Sequence, residues 1–320
     1  MESNFAKLQQ RTINACRETD FEVMKNFLKK IKNGIFCVGV GGSEVVADFA
    51  ATIFPETNAC GAISGTLSQA FDMKKYHGLF ERLLLCSYSG SNPAIDRITD
   101  NGFANFRHIY LLTSNRVEIK THVDRLRYVD DNIEREKSFI SLATTLMPMA
   151  LLLRYYLEKK NLGTYHEVLS DMFANIKDID VAANNKFEVF SYGDTRSSAK
   201  FLQSTMHEAG LGICAIHDKY GYCHGLSTLA YHNKQEHTLI HLINKKIEID
   251  DVLSKNEIYE NYKQVIVVDG PYEDAILNEF FLTLQCMYLC KNLAIANKKD
   301  LSRVDYAPSV KFLYRYKGEM

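Results

Sequence analysis

The sequence predicts an α/β protein that consists of two tandem, doubly wound (flavodoxin-like) parallel-sheet domains. Short apolar runs, typical of parallel strands buried on both faces, alternate with segments of helical periodicity. The order of these segments in the second half repeats that in the first, which indicates a duplicated α/β unit. A chain of 320 residues is long enough for two such domains. We expect the N-terminal domain, with leading helices, over residues 1–160 and the C-terminal domain with its tail over 161–320.

The predicted strands of the two halves correspond in order. In the first half they lie at 34–40, 58–62, 83–87 and 108–113, and their counterparts are 187–192, 212–216, a run from 237 or 238, and a run from 264. A weaker strand at 126–129 ends the first half. Helical patterns cover 3–33, 138–160, 165–176 and 274–292. The nearly constant displacement between matching strands supports two copies of one fold.

Composition narrows the possible partners. The charges nearly cancel, with Lys+Arg 38 against Asp+Glu 39. This balance disfavours nucleic acid and anionic membranes and favours a small ligand. No apolar run reaches the roughly 18–20 residues that span a bilayer, and the polar N-terminus does not resemble a secretion signal. We therefore expect a cytoplasmic protein.

The cysteine and histidine patterns indicate neither a metal nor a redox cofactor. None of the eight cysteines belongs to a CxxC pair, so neither a zinc site nor a disulfide framework is predicted. The histidines are concentrated between His207 and His241 without a zinc-binding motif. Cys223, which precedes His224, is the cysteine with the best case for a chemical role. We predict no cofactor.

A glycine-rich turn, Gly39-Val40-Gly41-Gly42-Ser43, follows the first predicted strand and precedes a helix. Glycines allow backbone N–H groups to approach a ligand, and a helix N-terminus favours an anion. A dinucleotide fingerprint is disfavoured because Glu44 occupies the place of its third glycine and no acid follows the second strand. The alternative is an ordinary tight turn between strand and helix.

A cluster of hydroxyl groups follows the third predicted strand, in the segment Ser87-Tyr88-Ser89-Gly90-Ser91-Asn92. Hydroxyls, an amide and a flexible glycine before a helix suit a phosphomonoester. The segment lacks the lysine of a nucleotide-binding P-loop. The alternative is a serine-rich helix cap. The second half has Asn244-Lys245-Lys246 at the corresponding place, without a hydroxyl cluster.

The stretch from Phe190 to Gly225 contains a carboxylate and an imidazole, Glu208 and His224, that have no counterpart pair in the first half. We expect them on neighbouring loops at strand ends, an arrangement that would allow proton transfer. One half would then bind phosphate and the other move protons, in a single composite site. Glu208 has an alternative interpretation as a solvated residue at a helix end.

The segments GVGGS (39–43), CSYSGSN (86–92), FSYGDTRSSAKFLQSTMHE (190–208) and CHG (223–225) resemble the SIS (sugar isomerase) family. The resemblance is greatest to its two-domain phosphosugar isomerases, including the isomerase half of glutamine–fructose-6-phosphate transaminase and bifunctional phosphoglucose/phosphomannose isomerase. It implies that Ser43, Ser87, Ser89 and Asn92, together with Gly42, bind a sugar phosphate.

The same resemblance implies catalytic roles. Glu208 would be the base that moves a proton between C1 and C2, and His224 would assist ring opening, often from the neighbouring subunit of a homodimer. Lys311 would complete the site, and Arg135 would neutralise a substrate oxyanion. Asn92 stands where the family usually has threonine, and Leu226 where proline is common. Isomerisation, deamination or deglycation of an amino-sugar phosphate, and non-catalytic sensing of a sugar phosphate remain open.

Overall fold

We analysed a computed structural model, which describes residues 5–31, 34–72, 80–90, 106–114, 123–129, 142–245, 247–255 and 257–301. The described chain divides into two compact units. We call the described residues up to Ser170 the N-terminal unit and those from Asp171 onward the C-terminal unit. Each contains one parallel sheet.

The N-terminal unit contains a five-stranded sheet with the order β2-β1-β3-β4-β5. Its strands are β1 (Ile35–Val38), β2 (Ala62–Gly65), β3 (Arg82–Cys86), β4 (His108–Thr113) and β5 (Val123–Arg127). Every neighbouring pair is parallel. This is the flavodoxin-like order, in which the chain turns to opposite sides of β1 and leaves a crevice at the carboxyl ends of β1 and β3.

The helices of this unit are α1 (Leu8–Glu18), α2 (Phe21–Lys29), α3 (Gly42–Asn58), α4 (Leu67–Asp72) and α5 (Leu142–Lys160). Helix α6 (Tyr165–Ala174) continues into the C-terminal unit.

Asp20 caps α2 by accepting a hydrogen bond from the Val23 N–H at 3.1 Å. One hydrophobic core cluster consists mainly of residues from β1, β3 and β4 and includes Phe36, Val38, Leu83, Leu85, Phe106 and Leu111.

The C-terminal unit contains a four-stranded parallel sheet with the order β7-β6-β8-β9. Its strands are β6 (Lys186–Ser191), β7 (Ile213–Asp218), β8 (Thr238–Ile243) and β9 (Gln264–Asp269). Its helices are α7 (Arg196–Glu208), α8 (Ser227–His232), α9 (Glu248–Lys255) and α10 (Ala275–Ala296). The strand order repeats the first four positions of the N-terminal sheet. The two predicted doubly wound parallel sheets are therefore confirmed.

Two predicted strands of the N-terminal unit are displaced from their observed positions. The strand predicted at 58–62 begins only at Ala62, because α3 continues to Asn58. There the Asn58 amide donates to the carbonyl oxygens of Leu28 and Ile31, both at 2.9 Å, and Ala59 takes a left-handed conformation that ends the helix. The weak strand predicted at 126–129 lies at Val123–Arg127.

In the part of the chain that the structure describes, no helix has the length and apolarity of a membrane span.

Candidate active site

The glycine-rich turn and the serine-rich loop of the N-terminal unit lie at the same edge of its sheet. Strands β1 and β3 are hydrogen-bonded neighbours, with Val38 opposite Leu85. Residues 39–43 follow β1 and residues 87–90 follow β3, so both segments leave the carboxyl edge at the crevice of the doubly wound sheet. The fold thus brings together two segments that are well separated in sequence.

The glycine-rich turn has no room for a side chain at Gly39. A Cβ atom on Gly39 would lie 2.1 Å from the carbonyl oxygen of Ser43, and Gly41 has a positive φ of 58°. The turn leads directly into α3, where Ser43 is buried. Such a turn brings backbone close to any ligand in the crevice and places the positive end of a helix beside it.

Hydrogen bonds hold the serine-rich loop in a tight turn. The Ser87 hydroxyl accepts from the Gly90 N–H at 3.2 Å, and Gly90 has a φ of 62°. The Tyr88 carbonyl accepts from the hydroxyls of Thr113 and Ser114 at 3.0 and 3.1 Å, which ties the loop to the end of β4. Ser87 is buried by these contacts, whereas Ser89 is exposed.

One residue at this edge was not recognised from the sequence. The Thr145 hydroxyl of α5 donates to the Gly42 carbonyl at 3.2 Å, and a Cβ on Gly42 would lie 2.6 Å from that hydroxyl. Thr145 is buried. A hydroxyl inside an otherwise apolar helix was the available signal, because a buried hydroxyl requires a partner.

The C-terminal unit differs at the equivalent edge. Asn244 follows β8, and its side-chain amide donates to the carbonyls of Asp194 and Ala275 at 2.8 and 2.9 Å. The Asn278 amide in turn donates to the Asn244 carbonyl at 2.6 Å. These bonds tie the strand-end loops to the start of α10. Where the N-terminal unit has its serine-rich loop, the C-terminal unit has Asn244, whose hydrogen bonds stabilise the surrounding loops.

Glu208 is the last residue of α7, and its side chain is partly buried. Burial raises the pKa of Glu208 to about 7, although a hydrogen bond from Ser204 acts in the opposite direction. Ser204 lies one helical turn before it on the same face. A carboxyl group that titrates near neutral pH can both accept and return a proton under ordinary conditions.

His224 lies in an irregular turn between β7 and α8. Lys219–Gly221 forms one helical turn, and Tyr222–Leu226 forms a π-helical turn in which Gly225 has a φ of 124°. His224 is exposed, whereas Lys219 and Tyr222 of the same segment are buried. The buried side chains of Lys219 and Tyr222 therefore anchor the segment, and the imidazole of His224 is exposed to solvent.

Two polar networks hold these anchors. Lys219 Nζ lies 2.5 Å from Asp250 Oδ1, which also lies 2.8 Å from His241 Nε2. Burial favours a raised pKa for Asp250, but the hydrogen bonds from Lys219, the Ile247 N–H and His241, together with the charge of Lys219, outweigh it and the pKa is lowered. Burial lowers the pKa of His241 to about 4, so its ring is neutral near pH 7.

The second network begins at Tyr222, whose hydroxyl lies 2.9 Å from that of Tyr262. Tyr262 donates to Glu188 Oε2 at 2.8 Å, and His237 Nδ1 lies 2.6 Å from Glu188 Oε1. His217 Nε2 is 3.4 Å from the same carboxylate. Several members of the histidine-rich stretch are thus engaged in hydrogen bonds that stabilise the sheet and the turn.

Glu208 and His224 do not lie on neighbouring loops, contrary to the sequence expectation. Lys186 pairs with Ile213 at the start of β6 and β7, and Ser191 pairs with Asp218 at their ends. Helix α7 leaves after the end of β6 and returns to the start of β7, so Glu208 is at the amino edge. His224 follows β7 at the carboxyl edge. The six residues of β7 separate these edges by roughly 17 Å.

Three residues implicated by the resemblance, Asn92, Arg135 and Lys311, lie outside the described residues. Their roles stay predictions. The described structure brings Ser43, Ser87 and Ser89 to one edge of the N-terminal sheet, together with Gly42.

No protein-family model matches the chain, and no curated protein matches it in sequence. Solved structures do. The C-terminal domain of glucosamine-fructose-6-phosphate aminotransferase from Francisella tularensis has a TM-score of 0.68 at 13% identity, covering 92% of this chain and 95% of that chain. Tagatose-6-phosphate ketose/aldose isomerase from Escherichia coli has a TM-score of 0.69 at 14% identity, covering 95% of each.

Glucosamine-6-phosphate deaminase from Thermotoga maritima has a TM-score of 0.64 at 17% identity, covering 92% of this chain and 96% of that chain. The chain has their fold. Because the matches extend over nearly the full length of each protein, the fold correspondence includes both units. At these identities the likeness concerns the fold, and function has to be argued from the side chains.

Proposed function

We propose that this protein is a phosphosugar isomerase-type enzyme. It would interconvert an aldose and a ketose phosphate, or deaminate or deglycate an amino-sugar phosphate. The observation that carries the proposal is Glu208, a carboxyl group whose pKa is raised by burial to about 7. Proton abstraction next to a carbonyl requires a base of this kind. The proposal is also compatible with the sugar-phosphate enzymes that share the fold.

The N-terminal unit would bind the phosphate group. The glycine-rich turn and the serine-rich loop converge on the crevice where doubly wound sheets bind ligands. Ser43 lies in the first turn of a long helix, and Ser87 and Ser89 would add hydroxyl donors. Gly42 would contribute backbone, and Asn92 an amide. A phosphate held there fixes the far end of the sugar and orients its reacting carbons.

The C-terminal unit would move the proton. The Glu208 carboxylate would take a proton from C2 while the carbonyl oxygen at C1 gains a proton from solvent, which gives an enediol. The protonated Glu208 would then return its proton to C1 as the hydroxyl at C2 releases its proton to solvent and becomes the carbonyl. No net oxidation occurs, and no cofactor is required. His224 would assist ring opening by protonating the ring oxygen, with Arg135 and Lys311 contacting substrate oxygens.

The separation of Glu208 and His224 supports a homodimer in which His224 reaches the partner's site. The imidazole is exposed, and its neighbours Tyr220 and Leu226 are 50% and 40% exposed. An exposed apolar surface around a polar residue is typical of an interaction site. In a two-fold dimer, both copies would exchange this residue reciprocally.

The test is proton exchange at C2 of candidate hexose and pentose phosphates in deuterated water. We expect the wild-type protein to exchange this proton, and Glu208→Gln to lose exchange by at least about a hundredfold while retaining ligand binding. Glu18→Gln is the matched control, because Glu18 also ends a helix but is exposed. Sugar-phosphate binding without exchange for any substrate would instead support the alternative, a non-catalytic regulator of the same fold.

A further inference from the structure

A cavity lined by charged and polar residues lies at the edge of the N-terminal sheet opposite the serine-rich loop. Its volume is about 490 Å³, within the range of small-molecule sites. It lies beneath α2, at the amino ends of β3 to β5. The lining residues are Asn26, Lys29, Lys30, Arg82, His108, Tyr110 and Asp124. The carboxyl edge of the same sheet carries the proposed phosphate crevice, so the two places are distinct.

Positive charge exceeds negative charge in this cavity. Lys30 Nζ is 3.4 Å from Asp124 Oδ1, which pairs one lysine with the one acid in the lining. Lys29 and Arg82 form no ion pair with any residue that the structure describes. Two positive charges therefore face the cavity without compensation. The imidazole of His108 and the ring of Tyr110 form part of the wall.

Arg82 provides the decisive observation. Its Nε and Nη1 atoms are buried, and neither has a hydrogen-bond partner within the described part of the chain. Tyr110 does hydrogen-bond the guanidinium, but burial still raises the pKa of the tyrosine. Buried N–H groups of a cation are costly to leave without acceptors. A ligand that supplies anionic oxygens would remove this cost.

We propose that this cavity binds a small phosphomonoester, independently of the proposed catalytic activity. A phosphate dianion matches the two charges of Lys29 and Arg82, and the Arg82 side chain would turn into the cavity so that its buried Nε and Nη1 groups donate to phosphate oxygens. A neutral sugar would leave the charge uncompensated, and a monocarboxylate would balance half of it. The rings of His108 and Tyr110 line the cavity and would contact the organic part of the ligand.

Calorimetric titration of the full chain with inorganic phosphate and with glycerol phosphate tests this proposal. Because the serine-rich loop could also bind these probes, all measurements use the Ser89→Ala background. We expect Arg82→Met to weaken binding at least about tenfold. Arg107→Met is the matched control, because Arg107 is exposed and does not line the cavity. Its Nη1 atom lies 3.6 Å from Glu81 Oε2, and its substitution should change the affinity less than about twofold.

Two further arms make each outcome informative. If Arg82→Met fails to fold, as judged by circular dichroism, Lys29→Met replaces it, since Lys29 is exposed and its removal should weaken binding about threefold or more. Acetate should bind more weakly than phosphate. Undetectable phosphate binding, equal affinity in the Lys29 or Arg82 variants, or preference for acetate would overturn the proposal.

Discussion

Glu208 and His224 lie beside one parallel sheet, at opposite ends of its strands. Glu208 ends the helix that returns to the start of β7, and His224 follows the end of that strand. No rotamer change brings the two side chains together across the length of a strand. This separation supports the proposal that, in one reaction, the two residues come from different copies of the chain.

This relationship predicts complementation between two inactive variants. Mixing Glu208→Gln with His224→Asn subunits should restore about a quarter of wild-type exchange activity, because half of the dimers are mixed and each has one intact site. The subunits are mixed after reversible dissociation, and light scattering reports the dimer. A wild-type enzyme that is active as a monomer, or mixed dimers without activity, would contradict the shared site.

The pH dependence of catalysis should follow Glu208. Its pKa is raised to about 7, and only the carboxylate can act as a base. The value of kcat/KM should therefore be constant above that pH and fall about tenfold per unit below it. Ser204→Ala removes a hydrogen bond that lowers the pKa, so its acidic limb should move to higher pH.

Ser254→Ala controls for the loss of a helical serine hydroxyl, because its hydrogen bond is local and exposed. An acidic limb near the ordinary glutamate pKa in the wild-type enzyme would mean that Glu208 is not the titrating base.

The turn that carries His224 should depend on Gly225. Its φ of 124° is a conformation that side chains rarely adopt, so Gly225→Ala introduces about 1–3 kcal/mol of strain or forces the turn to change. We expect exchange activity to fall about 10- to 100-fold through misplacement of His224. Gly221→Ala is the matched control, since its φ is −60° and an added Cβ makes only ordinary contacts. Equal activities of the two variants would show that the turn geometry is unimportant.

The buried pair between Lys219 and Asp250 should be essential for stability. Both side chains are almost fully buried, at 1% and 2% exposure. Lys219→Met leaves Asp250 without its cation and should lower the free energy of unfolding by about 3–5 kcal/mol in urea titrations. Adding Asp250→Leu should recover part of the loss. Lys186→Met, which removes one partner of an exposed pair with Glu236, should leave the midpoint unchanged. A fully stable Lys219→Met protein would contradict this expectation.

Local sequence patterns were sufficient to predict the fold. Strand β4 lies at the predicted residues, because an apolar run buried on both faces is a local signal. The duplication gave independent support, since four predicted strands of the first half had counterparts in the second. The error at the start of β2 arose from a contact that no local pattern contains, the Asn58 amide with the carbonyls of Leu28 and Ile31.

The candidate site was predictable where it consists of contiguous loops. The segments containing Gly42 and Ser87 were found from their composition, and the parallel pairing of β1 and β3 places them at one edge. The contact of Thr145 with Gly42 and the bonds of Glu188 with its histidines join distant segments, so they required the structure. The location of Glu208 at the amino edge follows from the predicted parallel strands, because a helix between two such strands returns to the start of the second, and the expectation of neighbouring loops overlooked this return.

The exposure of Cys223 makes the neighbourhood of His224 accessible to thiol reagents. Cys223 is exposed, and the other seven cysteines are buried: Cys16, Cys37, Cys60, Cys86, Cys214, Cys286 and Cys290. Burial raises the thiol pKa of both Cys16 and Cys214 to about 12, and a protonated thiol is a poor nucleophile. A maleimide fluorophore should therefore attach beside His224 in the unaltered protein, where its emission would report subunit association and sugar-phosphate binding without prior removal of any cysteine.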